Sequence, residues 1–252
     1  MKKHQKTLLV ALPIVAAMSL VGCKGMSADS ITNLGMKSID ALTLSDADVK
    51  SLSAKSCAQM DAQSKVAPAN SAYTKRLNKI AKSLGHNLNG TPISYKVYIT
   101  KDVNAWAMAN GCVRVYTGLM DMMTDNEIQG VLGHELGHVA LGHSKKAMQI
   151  AYATEIARDA AAASGNAAVA SVSKSQLGAL ASAVINSQFS QSQEKDADNY
   201  SFDFLVNKKI NPEGLATAFD KLGGGDASIL SSHPSSSDRA KNIRNKIANL
   251  KK

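Results

Sequence analysis

Over residues 27–85 apolar positions recur at helical spacing. Ile31, Leu34, Ile39 and Leu42 form a first, weak stripe, and Val49, Leu52, Ser56 and Met60 a second, opened by Ser45. Asn70 is the predicted cap of a third helix carrying Tyr73, Leu77, Ile80, Ala81 and Leu84, with Gly85 as its stop. The period then changes to two. Ile93, Tyr95, Val97 and Ile99 alternate with Ser94, Lys96, Tyr98 and Thr100, the pattern of a half-buried strand. Residues 105–108 and 113–117 flank Asn110-Gly111, a strong hairpin signal. One edge of such a sheet could bind an extended peptide by taking it up as a strand.

Helical spacing returns at Thr124, which with Glu127 makes a capping box. Ile128, Val131, Leu132, Leu136 and Val139 give a buried stripe that ends at Gly142. Gly130, Gly133 and Gly137 within it cost about 1 kcal/mol each relative to alanine, a cost that close approach of another backbone would offset. Residues 151–187 are rich in Ala, Ser and Gly. Glu155, Arg158, Asp159 and Lys174 interrupt them too often for a membrane span, so small-residue helices or a lid are expected. A further helix covers 189–207, and Asn211-Pro212-Glu213 starts another with Pro at its first position. Gly223-Gly224-Gly225 connects to Ser232-His233-Pro234-Ser235 and a last helix carrying Ala240, Ile243, Ile247 and Leu250. The fold class is therefore α+β, mostly helical, with a small antiparallel sheet ahead of the 124–143 helix. No internal repeat is visible.

That helix holds the candidate chemistry, His134-Glu135-Leu136-Gly137-His138. At 3.6 residues per turn the two imidazoles project from one face and can take two corners of a zinc site. Glu135 points about a quarter-turn away, where it can take a proton from water that the metal polarises. Short motifs also arise by chance on core helices, so the third ligand decides the class. In one zinc-protease pattern it is a histidine six residues after His138, with a glycine three after. Ser144 and Leu141 stand there; His143 and Gly142 each miss by one. Glu194 is the best alternative, with Asp198 four residues on to accept a hydrogen bond from a ligand histidine.

Residues 1–22 read as a secretion signal: Lys2, Lys3 and Lys6 precede an apolar run over 8–20. The ending Leu20-Val21-Gly22-Cys23 resembles the lipobox of bacterial lipoproteins, in which the cysteine is acylated after cleavage. Lys24, where an Asp would retain such a lipoprotein in the inner membrane, implies a protein lipid-anchored in the outer membrane and facing the periplasm. Removing the signal lowers the formal charge from +9 to +6. The lysines are scattered, which argues against nucleic acid and suits a surface near anionic headgroups. Cys57 and Cys112 remain, either as a disulfide or as two separately buried thiols.

The His134-Glu135-x-x-His138 motif, Glu194-x-x-Ala197-Asp198, and His233-Pro234-Ser235 with Arg239 stand in order along the chain. Together with the 104–119 segment they resemble the zinc metallopeptidases of the HtpX, Oma and BepA type, over roughly residues 70–250. The resemblance implies a peptidase domain over 70–252; it carries nothing onto the signal over 1–22 or the N-terminal helical segment over 23–69, which rest on the residue pattern alone. One zinc per chain would be held by His134, His138 and Glu194, with Glu135 as the catalytic base. His233 would lie close to the metal, either aiding the reaction or plugging the site, and His233 or Arg239 would stabilise the oxyanion. The implied activity is a lipid-anchored endopeptidase that cuts unfolded or misfolded envelope proteins, alongside other envelope quality-control proteins. A zinc-bearing chaperone or adaptor with latent peptidase activity is the alternative, and a structural lipoprotein a third.

Changing Cys23 to Ser should block acylation and leave unprocessed or soluble material. Fractionation with fatty-acid labelling checks this; identical behaviour of the two proteins, neither labelled, would exclude the lipid anchor.

Overall fold

The computed structural model describes residues 44–162, 172–223, 228–233 and 237–250. The leader with Cys23, the 27–42 stripe, Gly224, Gly225, Pro234 and Ser235 lie outside the described residues. Helix α1 (Asp46–Gln63) starts at Ser45, whose hydroxyl accepts the Asp48 N–H while the Asp48 carboxylate reaches back to the cap. Helix α2 (Ala72–Leu84) is capped by Ser71 and not by Asn70, because it is the Ser71 hydroxyl that meets the free Thr74 N–H. A short pair, β1 (Asn87–Leu88) and β2 (Thr91–Pro92), leads into a three-stranded sheet of β3 (Ser94–Tyr98), β4 (Ala105–Ala107) and β5 (Cys112–Tyr116).

The sheet order is β3-β5-β4. The predicted hairpin joins β4 and β5 antiparallel, with Gly111 at φ +82 in its turn. A Cβ there would lie 2.2 Å from the Pro92 carbonyl oxygen, so glycine is required for space as well as for conformation. β3 runs parallel to β5, which makes the sheet mixed where the sequence suggested an antiparallel one. Alternation fixes which side chains share a face; it carries no information on strand order or direction.

Eight helices follow among the described residues: α3 (Thr117–Met122), α4 (Asp125–Ala140), α5 (His143–Ala162), α6 (Lys174–Ile185), α7 (Gln191–Asn207), α8 (Glu213–Leu222), α9 (Ile229–Ser232) and α10 (Ser237–Leu250). Pro212 caps α8 from just outside it, one position earlier than the sequence suggested. No described helix is long and apolar enough to cross a membrane.

Two cores pack on the sheet. Ala105, Ala107, Val113 and Val115 join α2, α4, α7, α8 and α10 in the larger one. Tyr98, Trp106, Met108 and Cys112 join α1, α5 and α6 in the second. The strand read as half-buried is therefore covered on both faces at its end, and Tyr98 is buried. Its hydroxyl donates to Asp61, which also takes both arms of the buried Arg114 guanidinium at 2.8 and 2.9 Å. Burial works to raise the Asp61 carboxyl, but hydrogen bonds from Arg114, Lys96 and Tyr98 pull it down to about 2.

Helix α4 lies at the centre of the larger core and packs most extensively on α7 and α8. A Cβ on Gly130 would sit 2.6 Å from the Leu215 Cα of α8, and one on Gly137 would sit 2.9 Å from the Ala197 carbonyl oxygen of α7. The glycines that weaken α4 as a helix thus let two neighbours reach its backbone. Its first turn is held by the Thr124–Glu127 capping box, and Glu127 also takes Lys221 of α8 at 2.7 Å.

Cys57 of α1 and Cys112 of β5 are joined in a disulfide across 55 residues of chain. Closing a loop of that length in the unfolded chain is worth about 4 kcal/mol in the chain-entropy treatment. Replacing both cysteines by alanine should lower the unfolding free energy by about that amount. Chemical denaturation measures it, and a loss under about 1 kcal/mol would show that the link contributes little.

Candidate metal centre

His134 and His138 stand one turn apart on α4, and their Nε2 atoms converge to 3.0 Å. The partner carboxylates come from α7, which starts at a Ser190–Gln193 capping box and runs antiparallel to α4. Glu194 Oε1 lies 3.3 Å from His138 Nε2, and Glu194 Oε2 3.5 Å from His134 Nε2. One turn further on, Asp198 Oδ1 meets His134 Nδ1 at 2.9 Å. His233 follows α9, and its Nδ1 lies 2.9 Å from Glu194 Oε1 and 3.2 Å from His134 Nε2. One ligand atom from each of His134, His138, Glu194 and His233 falls within a sphere of mutual distances under 4.8 Å, and all four residues are buried.

Glu135 faces the same space from the side. Its Oε1 is buried with no hydrogen-bond partner, 3.5 Å from His233 Nε2. Arg239 of α10 closes the opposite side. Its Nε and Nη2 take the two Asp198 oxygens at 2.8 and 2.7 Å, its Nη1 takes Glu194 Oε2 at 2.8 Å, and its guanidinium lies over the Phe219 ring. Every candidate residue of this set named from the sequence is thus brought to one place. Within it Arg239 lies behind the carboxylates, while His233 lies beside Glu135.

The electrostatics follow from burial. Desolvation, with neighbouring positive charge, drives His134 well below the ordinary histidine value and His138 down to about 4, so both rings are neutral. Desolvation also raises Glu135, to about 7. For Glu194, burial works to raise the carboxyl, but its polar contacts with His138 and His233 and the surrounding histidines outweigh it and hold it far below its usual range. His233 is pushed down by burial and up by the Glu135 and Glu194 charges, and the charges prevail.

This donor set fits a metal ion. Since Asp198 faces His134 Nδ1, the ring proton belongs there and Nε2 is a bare lone pair. That lone pair, a second imidazole nitrogen and an anionic carboxylate point at one another inside a buried space. A cation among them removes the repulsion, and nitrogen with oxygen donors suits a borderline divalent metal.

Two residues at the centre were not assigned to it from sequence. His143 places its Nδ1 3.0 Å from His138 Nδ1. The only sign of it was a histidine one residue out of a known ligand frame. Phe189 stacks on the His138 ring with centroids 3.9 Å apart, and its N–H reaches the Ser232 carbonyl at 3.4 Å. Nothing in the local pattern around Phe189 announced that contact.

A H-E-x-x-H helix beside a sheet, with a glutamate from a second helix completing a buried His–His–Glu–His cluster, defines a metallopeptidase with a zincin core. The pattern of peptidase family M48 matches residues 69–247, and the chain belongs to that family as a metalloendopeptidase. It is 52% identical over 247 residues to the metalloprotease LoiP of Escherichia coli K12, covering 96% of this chain and 97% of the relative. It is 51% identical over 251 residues to the metalloprotease YcaL of the same organism, covering 97% and 98%. A putative beta-barrel assembly-enhancing protease of Vibrio cholerae is 23% identical over 189 residues, covering 67% of this chain and 38% of the relative.

Proposed function

We propose that this metalloendopeptidase uses one zinc ion and is held by an N-terminal lipid on Cys23 at the periplasmic face of the outer membrane. Its proposed substrates are unfolded or misfolded envelope proteins, with other envelope quality-control proteins as partners. The observation that carries the peptidase mechanism is the Glu135 carboxyl, buried and unpartnered at Oε1 at the edge of the four-donor cluster. A base set there by desolvation, near 7, is matched to proton transfer at neutral pH.

His134, His138 and Glu194 would hold the metal. Zinc in such a site supplies Lewis acidity, polarising a peptide carbonyl and making water acidic enough to lose a proton near neutral pH. Glu135 takes that proton at Oε1 and returns it to the leaving amine nitrogen. His233, with Nε2 3.5 Å from Glu135 Oε1, is placed to donate a hydrogen bond to the oxyanion. Arg239 pairs with both Glu194 and Asp198 and works against the burial that raises the Asp198 carboxyl, and Asp198 fixes the His134 tautomer.

Preference for extended chains is supported by the outer strand. β4 lies at the sheet edge beside α4, where the Asn104 side chain takes the Ala105 N–H at 2.8 Å and the Ser144 hydroxyl donates to the Ala107 carbonyl at 3.1 Å. Edge-strand backbone groups of this kind are the ones that strand addition pairs with. The lipobox-like Leu20-Val21-Gly22-Cys23 with Lys24 supports the anchor and the outer membrane. The V. cholerae relative, named for β-barrel assembly, suits the same compartment.

One observation favours a second reading. His233 Nδ1 stands among the donors, and as a permanent fourth ligand it would fill the position that water needs, leaving a zinc-bearing chaperone or adaptor with latent activity.

Glu135→Gln should keep the metal and the fold but lose about two to four orders of magnitude in turnover. Glu194→Gln should lose metal and activity together, and Asp198→Asn should fall between, roughly 10–100-fold down. Metal content measured beside turnover tests all three. Full activity in Glu135→Gln removes the proposed mechanism, and full metal retention in Glu194→Gln removes the ligand assignment. His233→Ala separates the two readings of that residue, slowing catalysis if it stabilises the oxyanion and raising activity if it plugs the site. A denatured globular protein should be cut far faster than its folded form; equal rates would argue against strand addition.

A further inference from the structure

We propose that His143 is a positioning residue of the metal centre, accepting the Nδ1 proton of His138 and so holding that ring in the tautomer whose Nε2 is bare. The inference rests on the proposal that His138 holds the metal through Nε2, the atom that faces His134 and Glu194. A neutral imidazole carries one proton, so a bare Nε2 requires the proton on Nδ1. On His134 the equivalent atom is met by Asp198. On His138 it lies 3.0 Å from His143 Nδ1. The two rings meet at 61° with centroids 5.0 Å apart, an edge approach suited to N–H···N and not a face-to-face stack.

The local chain explains why His143 arrives there. Helix α4 closes with the Leu141 N–H on the Gly137 carbonyl, and Gly142, at φ +76, reverses the chain so that α5 begins at His143. Ser144, buried, donates to the Ala107 carbonyl and pins the first turn of α5 to β4. His143 is therefore held from both sides, half-buried, and turned back on the residue five positions earlier. Phe189 covers the face of the His138 ring while His143 takes its edge, so orientation and tautomer are set by different neighbours. The two ligand histidines thus have unlike outer partners, a carboxylate for His134 and an imidazole for His138. His143 acts through His138 and is not itself a catalytic residue.

Zinc affinity of the full chain, measured by competition with a chromophoric chelator, tests this together with thermal unfolding of the metal-free protein. His143→Ala should bind zinc roughly 10–100-fold more weakly while the metal-free protein unfolds as the wild type does. His143→Asn, which offers an amide oxygen near the position of the lost ring nitrogen, should recover most of the affinity. His143→Leu, which fills space without an acceptor, should not. Wild-type affinity in His143→Ala, or equal weakening in the Asn and Leu variants, would overturn the proposal while leaving the centre intact. A wild-type protein that binds no zinc would overturn the metal-centre assignment along with it.

Discussion

Everything at the metal centre depends on how closely α7 lies against α4. Gly137 leaves its backbone open to Ala197, Gly133 leaves room for the Ser201 side chain, and the Ser201 hydroxyl donates to the Gly130 carbonyl at 3.1 Å. These contacts fix an antiparallel register in which Glu194 stands level with His138 and Asp198 with His134. A larger residue at Gly130 would push on α8, and one at Gly133 or Gly137 would force α7 outward or along its axis. The carboxylates would then miss nitrogens that they now reach at 2.9–3.5 Å. The helix propensity lost at these glycines is the cost of that register.

Close packing buries several ionisable groups together, and burial alone would neutralise or expel them. Arg239 offsets this by spanning both α7 carboxylates from behind, itself seated on Phe219. The same low-dielectric surroundings keep His134 and His138 unprotonated, hence able to donate lone pairs, and raise Glu135 towards neutral pH. One environment therefore produces ligands from two histidines and a base from a glutamate. Burial favours the neutral form of each group, which for an imidazole is the ligand form and for a carboxyl is a raised pKa.

The second core contributes to the site from the far side of the sheet. Helices α1, α5 and α6 cover Trp106 and Tyr98, and the Cys57–Cys112 link ties α1 to the strand beside β4. This layer carries the start of α5, where His143 and Ser144 meet the metal helix and the outer strand. Helix α1, which lies before the span shared with the M48 family, thus supports β5, the strand that carries β4.

Local chemistry was legible along the chain because it depends on near neighbours. The helix start at Ser45, the capping box at Thr124, the Asn110-Gly111 turn, the one-face spacing of His134 and His138 and that of Glu194 and Asp198 all follow from helix and turn geometry over a few residues. The glycines of α4 announced that something would pack there without saying what. Strand direction was not legible, since alternation is the same for parallel and antiparallel neighbours, and β3 pairs parallel with β5. Nor was the burial of Tyr98, because a tyrosine in a polar register looks solvent-facing until a second helical layer covers it. The disulfide stood level with two free thiols until α1 was placed against β5. His143 and Phe189 were invisible as parts of the site for the same reason. A hydrogen bond made across a chain reversal and a stacking contact between helices depend on distances in space, which residue spacing along the sequence does not carry.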